Sequence, residues 1–187
     1  MIATEREQLI GTGIDLVQIS AHSAQLTQPG STFRAAYTDR EWAYCTPNTA
    51  TPSAHRGPAS RPPKPNSVLV GADGSPHRSA GFGVSLDTEH QASLAGCWAA
   101  KEAVIKAWSA ALYGCEPPIS AEKLSWRHIE IVHDRWKRPA VRFHGEVARH
   151  VAAFANQRGG ALRWHISISH DGDYASATAH LVLITNF

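Results

Sequence analysis

The chain has 187 residues, enough for one domain or one domain with an embellishment. Hydrophobic residues make up 43% and charged residues 18%, so a sizeable core can form and a wholly disordered chain is excluded. A net charge of +2 with no Lys/Arg stripe gives no argument for nucleic acid, so none is expected as a partner, and no apolar run is long enough for a membrane span. Three cysteines, Cys45, Cys97 and Cys115, have no metal-type spacing. With a charged start that lacks an apolar signal core, they read as reduced thiols in a cytoplasmic protein.

In chain order, Leu9 to Val17 is rich in apolar and β-branched residues and predicts a strand. Thr38-Asp39-Arg40-Glu41 has the Thr-x-x-Glu form of a capping box, in which hydroxyl and carboxylate satisfy free N–H groups at a helix start. Residues 46–87 hold seven of the eleven prolines among many Ser, Gly and Ala, the composition of a solvent-exposed insertion. Within them Ser67–Val70 and Phe82–Leu86 predict a small hairpin.

Leu94, Trp98, Lys101, Ile105, Trp108 and Leu112 recur at three- and four-residue steps, predicting a long amphipathic helix from Thr88 to Leu112. Pro117-Pro118 forbids its continuation. His128–Val132 and Ala140–Phe143 predict two strands about a turn at 134–138. Glu146 to Asn156 predicts a helix ended by Arg158-Gly159-Gly160. Arg163–Ser169 and Tyr174–Ile184 predict paired strands around His170-Asp171-Gly172-Asp173, where Asp-Gly favours a tight turn. The expectation is one α+β domain spanning 1–187, an antiparallel sheet packed on one long helix, with 46–87 inserted.

Charged residues among apolar ones carry the chemistry. Asp15 sits inside a strand, where a carboxylate is costly unless paired, hydrogen-bonded or bound to metal. Glu102 and Lys106 are four apart and share a helix face with Trp98. Ala99, Ala100 and Ala103 keep the surrounding surface thin, so another element can approach closely. His170 ends a strand. Singly, each has an ordinary structural reading: a strand-end Asp bonding backbone, a surface ion pair, a packed histidine. Together they suit Mg²⁺ bridging phosphate oxygens, with cations neutralising the remainder.

At these residues the sequence resembles the holo-acyl-carrier-protein synthase family of 4′-phosphopantetheinyl transferases. The matching segments, in order, are Gly13–Val17, Tyr37–Glu41, Trp98–Ala107 and Ser167–Ala175. Ile129–Val132 and Arg138–Val141 also look like the family, and Trp98 with Val104–Ser109 is typical of actinobacterial members. The resemblance implies the 4′-phosphopantetheinyl transferase fold and transfer of phosphopantetheine from coenzyme A to a serine of an acyl carrier protein. The carrier serine attacks the β-phosphate and 3′,5′-ADP leaves. It further implies Mg²⁺ held by Asp15 and Glu102, catalysis by Glu102, Lys106 and Asp15, and a coenzyme site with Lys106, Lys101, Ser169 and His170. As the base for the serine hydroxyl, Glu102 and a metal-bound water both stay open. Members of this size are typically homotrimers with the coenzyme between subunits.

Three positions depart from the family pattern. Cys97 stands where arginine is usual, and Ala107-Trp108-Ser109-Ala110 replaces a glycine-rich turn. The helix segment Ser20–Gln25 lacks the arginines that meet an acidic carrier protein. The partner implied is an acyl carrier protein or, consistent with the actinobacterial resemblance, a carrier domain embedded in a fatty-acid synthase. A coenzyme-A-binding assembly subunit without turnover is the alternative reading. An unrelated magnesium-dependent phosphohydrolase explains Asp15 and Glu102 but not four ordered segments.

Overall fold

The strand predicted at Leu9–Val17 is the centre of a longer one, β1 (Glu5–Gln18). Its alternation is strict where it matters: Gly11, Gly13 and Asp15 face inward, and Thr12, Ile14 and Leu16 face out. A computed structural model describes residues 5–46 and 86–186; the hairpin expected within 67–86 lies almost wholly outside the described residues. After β1 come α1 (Ile19–Thr27), a 3₁₀ turn (Phe33–Ala36) and α2 (Asp39–Cys45). Then follow α3 (Thr88–Ala111), a 3₁₀ turn (Trp126–His128), β2 (Ile129–His133), β3 (Pro139–Phe143), α4 (Gly145–Gln157), β4 (Ala161–Asp171) and β5 (Tyr174–Asn186).

The architecture is α+β with antiparallel sheets and one long helix. Two sheets form rather than one: β1-β5-β4, all antiparallel, and a separate β2-β3 hairpin. Strand pairing across distant segments decides this, which is why alternation within each run could not. The capping box forms as predicted: the Glu41 N–H donates to Thr38 Oγ1 (3.1 Å) and the Thr38 N–H to Glu41 Oε2 (2.8 Å). Such a cap contributes about 1 kcal/mol. Asp173, in the β4–β5 turn, accepts from the Ser20 N–H (2.9 Å) and Ser20 hydroxyl (2.6 Å), fixing the start of α1 to the end of the sheet.

Helix α3 lies across the three-stranded sheet. Its contact surface is made of small residues, Ala99, Ala103 and Ala107 meeting Gly11, Gly13, Ala177 and Ala179. The approach is close enough that a Cβ at Gly13 would stand 2.1 Å from the Ala103 carbonyl oxygen. On its other side α3 buries Leu94, Cys97, Val104 and Trp108 with Ile129, Ile131 and Val147. Each fully buried Leu, Val or Ile contributes about 1.5–3 kcal/mol. The face of the sheet turned from α3 carries Leu9, Ile14 and Leu16, all more than half exposed.

Candidate functional site

The close glycine–alanine contact brings Asp15, two residues beyond Gly13 on the same strand face, against the middle of α3. Asp15 is only 8% exposed. Lys106 spans the junction, its ammonium donating to Asp15 Oδ1 at 2.6 Å while its stem remains half in solvent. Glu102, one turn earlier, completes the group. Burial first, then the charge of and a shared hydrogen bond with Asp15, hold the Glu102 carboxyl above the ordinary glutamate value. Lys106 and Trp98 act in the opposite direction. The hydrogen bond to Asp15 leads in raising the Lys106 pKa, so this lysine stays charged.

Two carboxylates and one ammonium leave a local excess of negative charge. Their oxygens are hard donors of the kind Mg²⁺ takes. Among the described residues no group of three or more His, Cys, Asp or Glu gathers as a cage. Mg²⁺ ordinarily keeps waters and substrate phosphates beside one or two carboxylates, so the donor set fits that ion.

Lys101, expected among the phosphate-facing residues, is placed elsewhere. It is 0% exposed, and its ammonium forms an ion pair with Glu41 (2.9 Å). It also donates to the carbonyls of Ala36 and Trp126, both at 3.0 Å, and to that of Ile129. With every N–H engaged and no path to solvent, it has no donor for a phosphate. Helical spacing puts 101 and 102 about 100° apart, so one faces the core when the other faces the sheet edge. Burial draws the Lys101 pKa below the ordinary lysine value, and Glu41 opposes this. The sequence signal for the partner was present in the capping box at Glu41, but nothing linked it to residue 101.

His170 and Ser169 sit on β4, and strand alternation sends them to opposite faces. Ser169 pairs with Ser176 on the face turned from α3. His170 lines a pocket with Tyr44, Ser93, Cys97, His133 and Lys137. Tyr44 and His133 stack there, 4.0 Å between centroids and 5° between planes. None of Tyr44, His133 or Lys137 stood out in the sequence. Asp15 registers with Ala177 and Ala177 with Ile168, so β5 separates Asp15 from the His170 strand. The offset is roughly 10 Å across the sheet plus two residues along it. Within one chain, then, Asp15, Glu102 and Lys106 converge while His170 and Ser169 stand apart. Cys97, the departure from the usual arginine, is buried with its sulfur 3.6 Å from that of Cys45. A second groove runs one turn beyond Lys106, between Ile105, Ser109 and Leu112 of α3 and the returning Pro117–Ile119 segment.

A carboxylate pair and a protonated lysine, fixed on a rigid strand–helix junction, are the equipment of an enzyme acting on a phosphate-bearing substrate. The family model described as the 4′-phosphopantetheinyl transferase superfamily matches residues 80–179. A holo-[acyl-carrier-protein] synthase of Corynebacterium glutamicum is 38% identical over 175 residues, covering 94% of this chain and 99% of that protein. One from Mycobacterium ulcerans is 32% identical over 92% of this chain and 96% of its own. A solved structure described as a Chronobacterium ammoniagenes ACPS-CoA complex superposes with a TM-score of 0.65 at 32% identity, covering 94% of this chain and 98% of that one. The chain belongs to the 4′-phosphopantetheinyl transferase superfamily, among the holo-[acyl-carrier-protein] synthases.

Proposed function

We propose that this enzyme transfers 4′-phosphopantetheine from coenzyme A to a serine of an acyl carrier protein, or of a carrier domain in a fatty-acid synthase. The observation that carries the reading is the convergence of Asp15, Glu102 and Lys106 at the β1–α3 junction. The relatives' names supply the substrates, and the coenzyme complex among the similar structures supports coenzyme A. In the reaction the serine oxygen bonds to the β-phosphorus, the serine proton passes to the Glu102 carboxylate or to a water at the site, the bridging P–O bond of the pyrophosphate breaks, and 3′,5′-ADP leaves.

Asp15 and Glu102 would hold Mg²⁺, which when bound withdraws charge from the pyrophosphate oxygens. The remaining work belongs to the chain. Lys106 keeps its proton and meets phosphate oxygens, its exposed stem letting the ammonium swing from Asp15 to the substrate. The carboxylates are held by rigid elements, so the phosphates meet a preorganised charge pattern. The groove beyond Lys106 offers apolar walls to the nucleoside end of the coenzyme. His170 and the pocket around it contribute from the other sheet edge, which fits a coenzyme cleft shared by neighbouring copies.

A homotrimer is therefore part of the proposal, supported by the exposed Leu9, Ile14 and Leu16 on the free sheet face. So is a single domain over 1–187 with 46–87 inserted, working in the cytoplasm without nucleic acid or membrane. Among the described residues no helix is long and apolar enough to cross a membrane. Helix α1 carries no Lys or Arg, which favours a synthase-embedded carrier domain over docking of a free acidic carrier on that helix.

The test is intact-mass spectrometry of a carrier domain incubated with the protein, coenzyme A and Mg²⁺. A gain of one phosphopantetheine group, abolished by EDTA, is expected. No gain with either free or synthase-embedded carriers overturns the reading and leaves a coenzyme-binding subunit.

A further inference from the structure

We propose that Lys101 is a positioning residue: it sets the roll of α3 about its own axis and thereby the aim of Glu102 and Lys106 at Asp15. The inference rests on the transferase reading above for its activity test, but not for its structural one.

The reasoning starts from the surface on which α3 lies. Against the sheet the helix presents Ala99, Ala103 and Ala107, and the sheet presents Gly11, Gly13, Ala177 and Ala179. Such a strip allows very close approach but interlocks few large side chains, so ridge-and-groove packing is weak along it. On the opposite side α3 packs by Leu94, Val104 and Trp108, apolar contacts that are not directional. Lys101 lies within that stripe and adds contacts that are directional.

Lys101 has the geometry to set the roll. Its ammonium is gripped by oxygens from three separate segments: the Ala36 carbonyl at the end of the first 3₁₀ turn, Glu41 on α2, and the Trp126 and Ile129 carbonyls leading into β2. Those segments are themselves tied together. Glu41 caps α2 through Thr38 and accepts from the Ile131 N–H at 2.8 Å, and Thr38 donates to Glu130 at 3.0 Å. The grip is directional and cannot be kept if the helix turns. A side-chain tip lies roughly 5–6 Å from a helix axis, so a roll of about 10° moves it about 1 Å. A misplacement of that size at a reacting centre costs about 100-fold in rate.

Lys101 also stabilises the fold, because it satisfies three buried carbonyls as well as Glu41; a positioning role adds a kinetic consequence that stability alone does not. The decisive comparison is between Glu41→Gln/Lys101→Met, which removes both charges and the whole grip, and Glu41→Gln, which leaves the three carbonyls on Lys101. Thermal midpoints and carrier-domain transfer kinetics with coenzyme A and Mg²⁺ are measured for both. The double variant is expected to fold, yet lose at least ten-fold in kcat and need more Mg²⁺ for half-maximal rate. Glu41→Gln, assayed below its midpoint, should keep kcat within about two-fold. A folded double variant with wild-type kcat overturns the inference, as does a Glu41→Gln variant that loses kcat ten-fold. Should the double variant not fold, the Glu41→Gln result alone decides. If the wild-type protein itself transfers nothing, the transferase reading has failed rather than this one. The crystal structure of the double variant then decides: an unchanged roll of α3 on the sheet, with Gly13 still against the Ala103 carbonyl, refutes the positioning role, and a turn of about 10° supports it.

Discussion

Replacing Gly13 by alanine should damage this protein out of proportion to the single methyl added. The new Cβ would stand 2.1 Å from the Ala103 carbonyl oxygen and 2.5 Å from the Ala107 nitrogen, both helix backbone atoms without rotamer freedom. Real Cβ contacts lie beyond 3.0 Å, so β1 and α3 must separate by about 1 Å along their tightest contact. Overpacking costs about 1–3 kcal/mol when side chains can adjust. With backbone on both sides the upper end applies, about 3 kcal/mol, which for a chain of this size is a fall in Tm of about 6–12 °C. Asp15 moves with the strand, so coenzyme-dependent transfer should fall as well. Gly30→Ala is the control. Its φ of +79° is unfavourable for alanine but nothing lies within 4 Å, so a loss of about 1 kcal/mol and full activity are expected. Differential scanning calorimetry of the two variants decides. A Gly13→Ala protein melting within 2 °C of wild type would refute the close-contact reasoning.

Glu102→Gln should abolish most transfer yet, without divalent metal, melt no lower than wild type at neutral pH. The folded carboxyl binds its proton more tightly than the unfolded one, so wild-type stability falls as pH rises through the window between the two pKa values and Gln removes that fall. Mg²⁺ with coenzyme A should then raise the wild-type midpoint and leave the variant's unchanged; an equal rise in both would remove Glu102 from the metal site. Tyr37→Phe deletes a hydroxyl that lies 2.6 Å from His22 and donates to the Leu94 carbonyl at 3.1 Å. The buried groups left behind should cost about 1–3 kcal/mol, read as a lowered Tm. His22, held down to about 4 by burial, will not recover the loss by charging at neutral pH. Cys45 and Cys97 are buried with sulfurs 3.6 Å apart, and the hydrogen bond from Cys45 and burial push the Cys97 thiol up, so a low-molecular-weight disulfide should modify exposed Cys115 alone. Intact mass should rise by one RS group of the reagent less one hydrogen; a further loss of two hydrogens would show instead that the buried pair closes.

The parts of the fold governed by local pattern were legible. Helix α3 follows from apolar steps of three and four, and the Thr38–Glu41 capping box from its two end residues. The turn at Gly172, where φ is +54°, follows from Asp-Gly. What stayed hidden depends on segments far apart in the chain. Lys101 was expected at the coenzyme phosphates, and its burial was hidden because its neutralising oxygens come from residues 36, 41, 126 and 129. Cys45 and Cys97 are separated by the proline-rich segment, so spacing could not pair them. Within the site, Glu102 with Lys106 was readable as one helix face. The strand partner Asp15 was visible as an oddly placed carboxylate whose type suited a shared Mg²⁺ site, and the resemblance gave that grouping its specific roles. Lys137 and Tyr44 beside His170 had no signal at all.

Leu9, Ile14 and Leu16 are spaced along one outward sheet face, each between 58% and 64% exposed. With the self-association proposed above, this face makes the protein's properties a function of its own abundance. By mass action the thermal midpoint climbs with protein concentration. Specific activity should then bend downward on dilution rather than scale with the amount of enzyme. A cell holding few copies would run this reaction on a steep curve, where doubling expression more than doubles the rate at which carrier domains are armed.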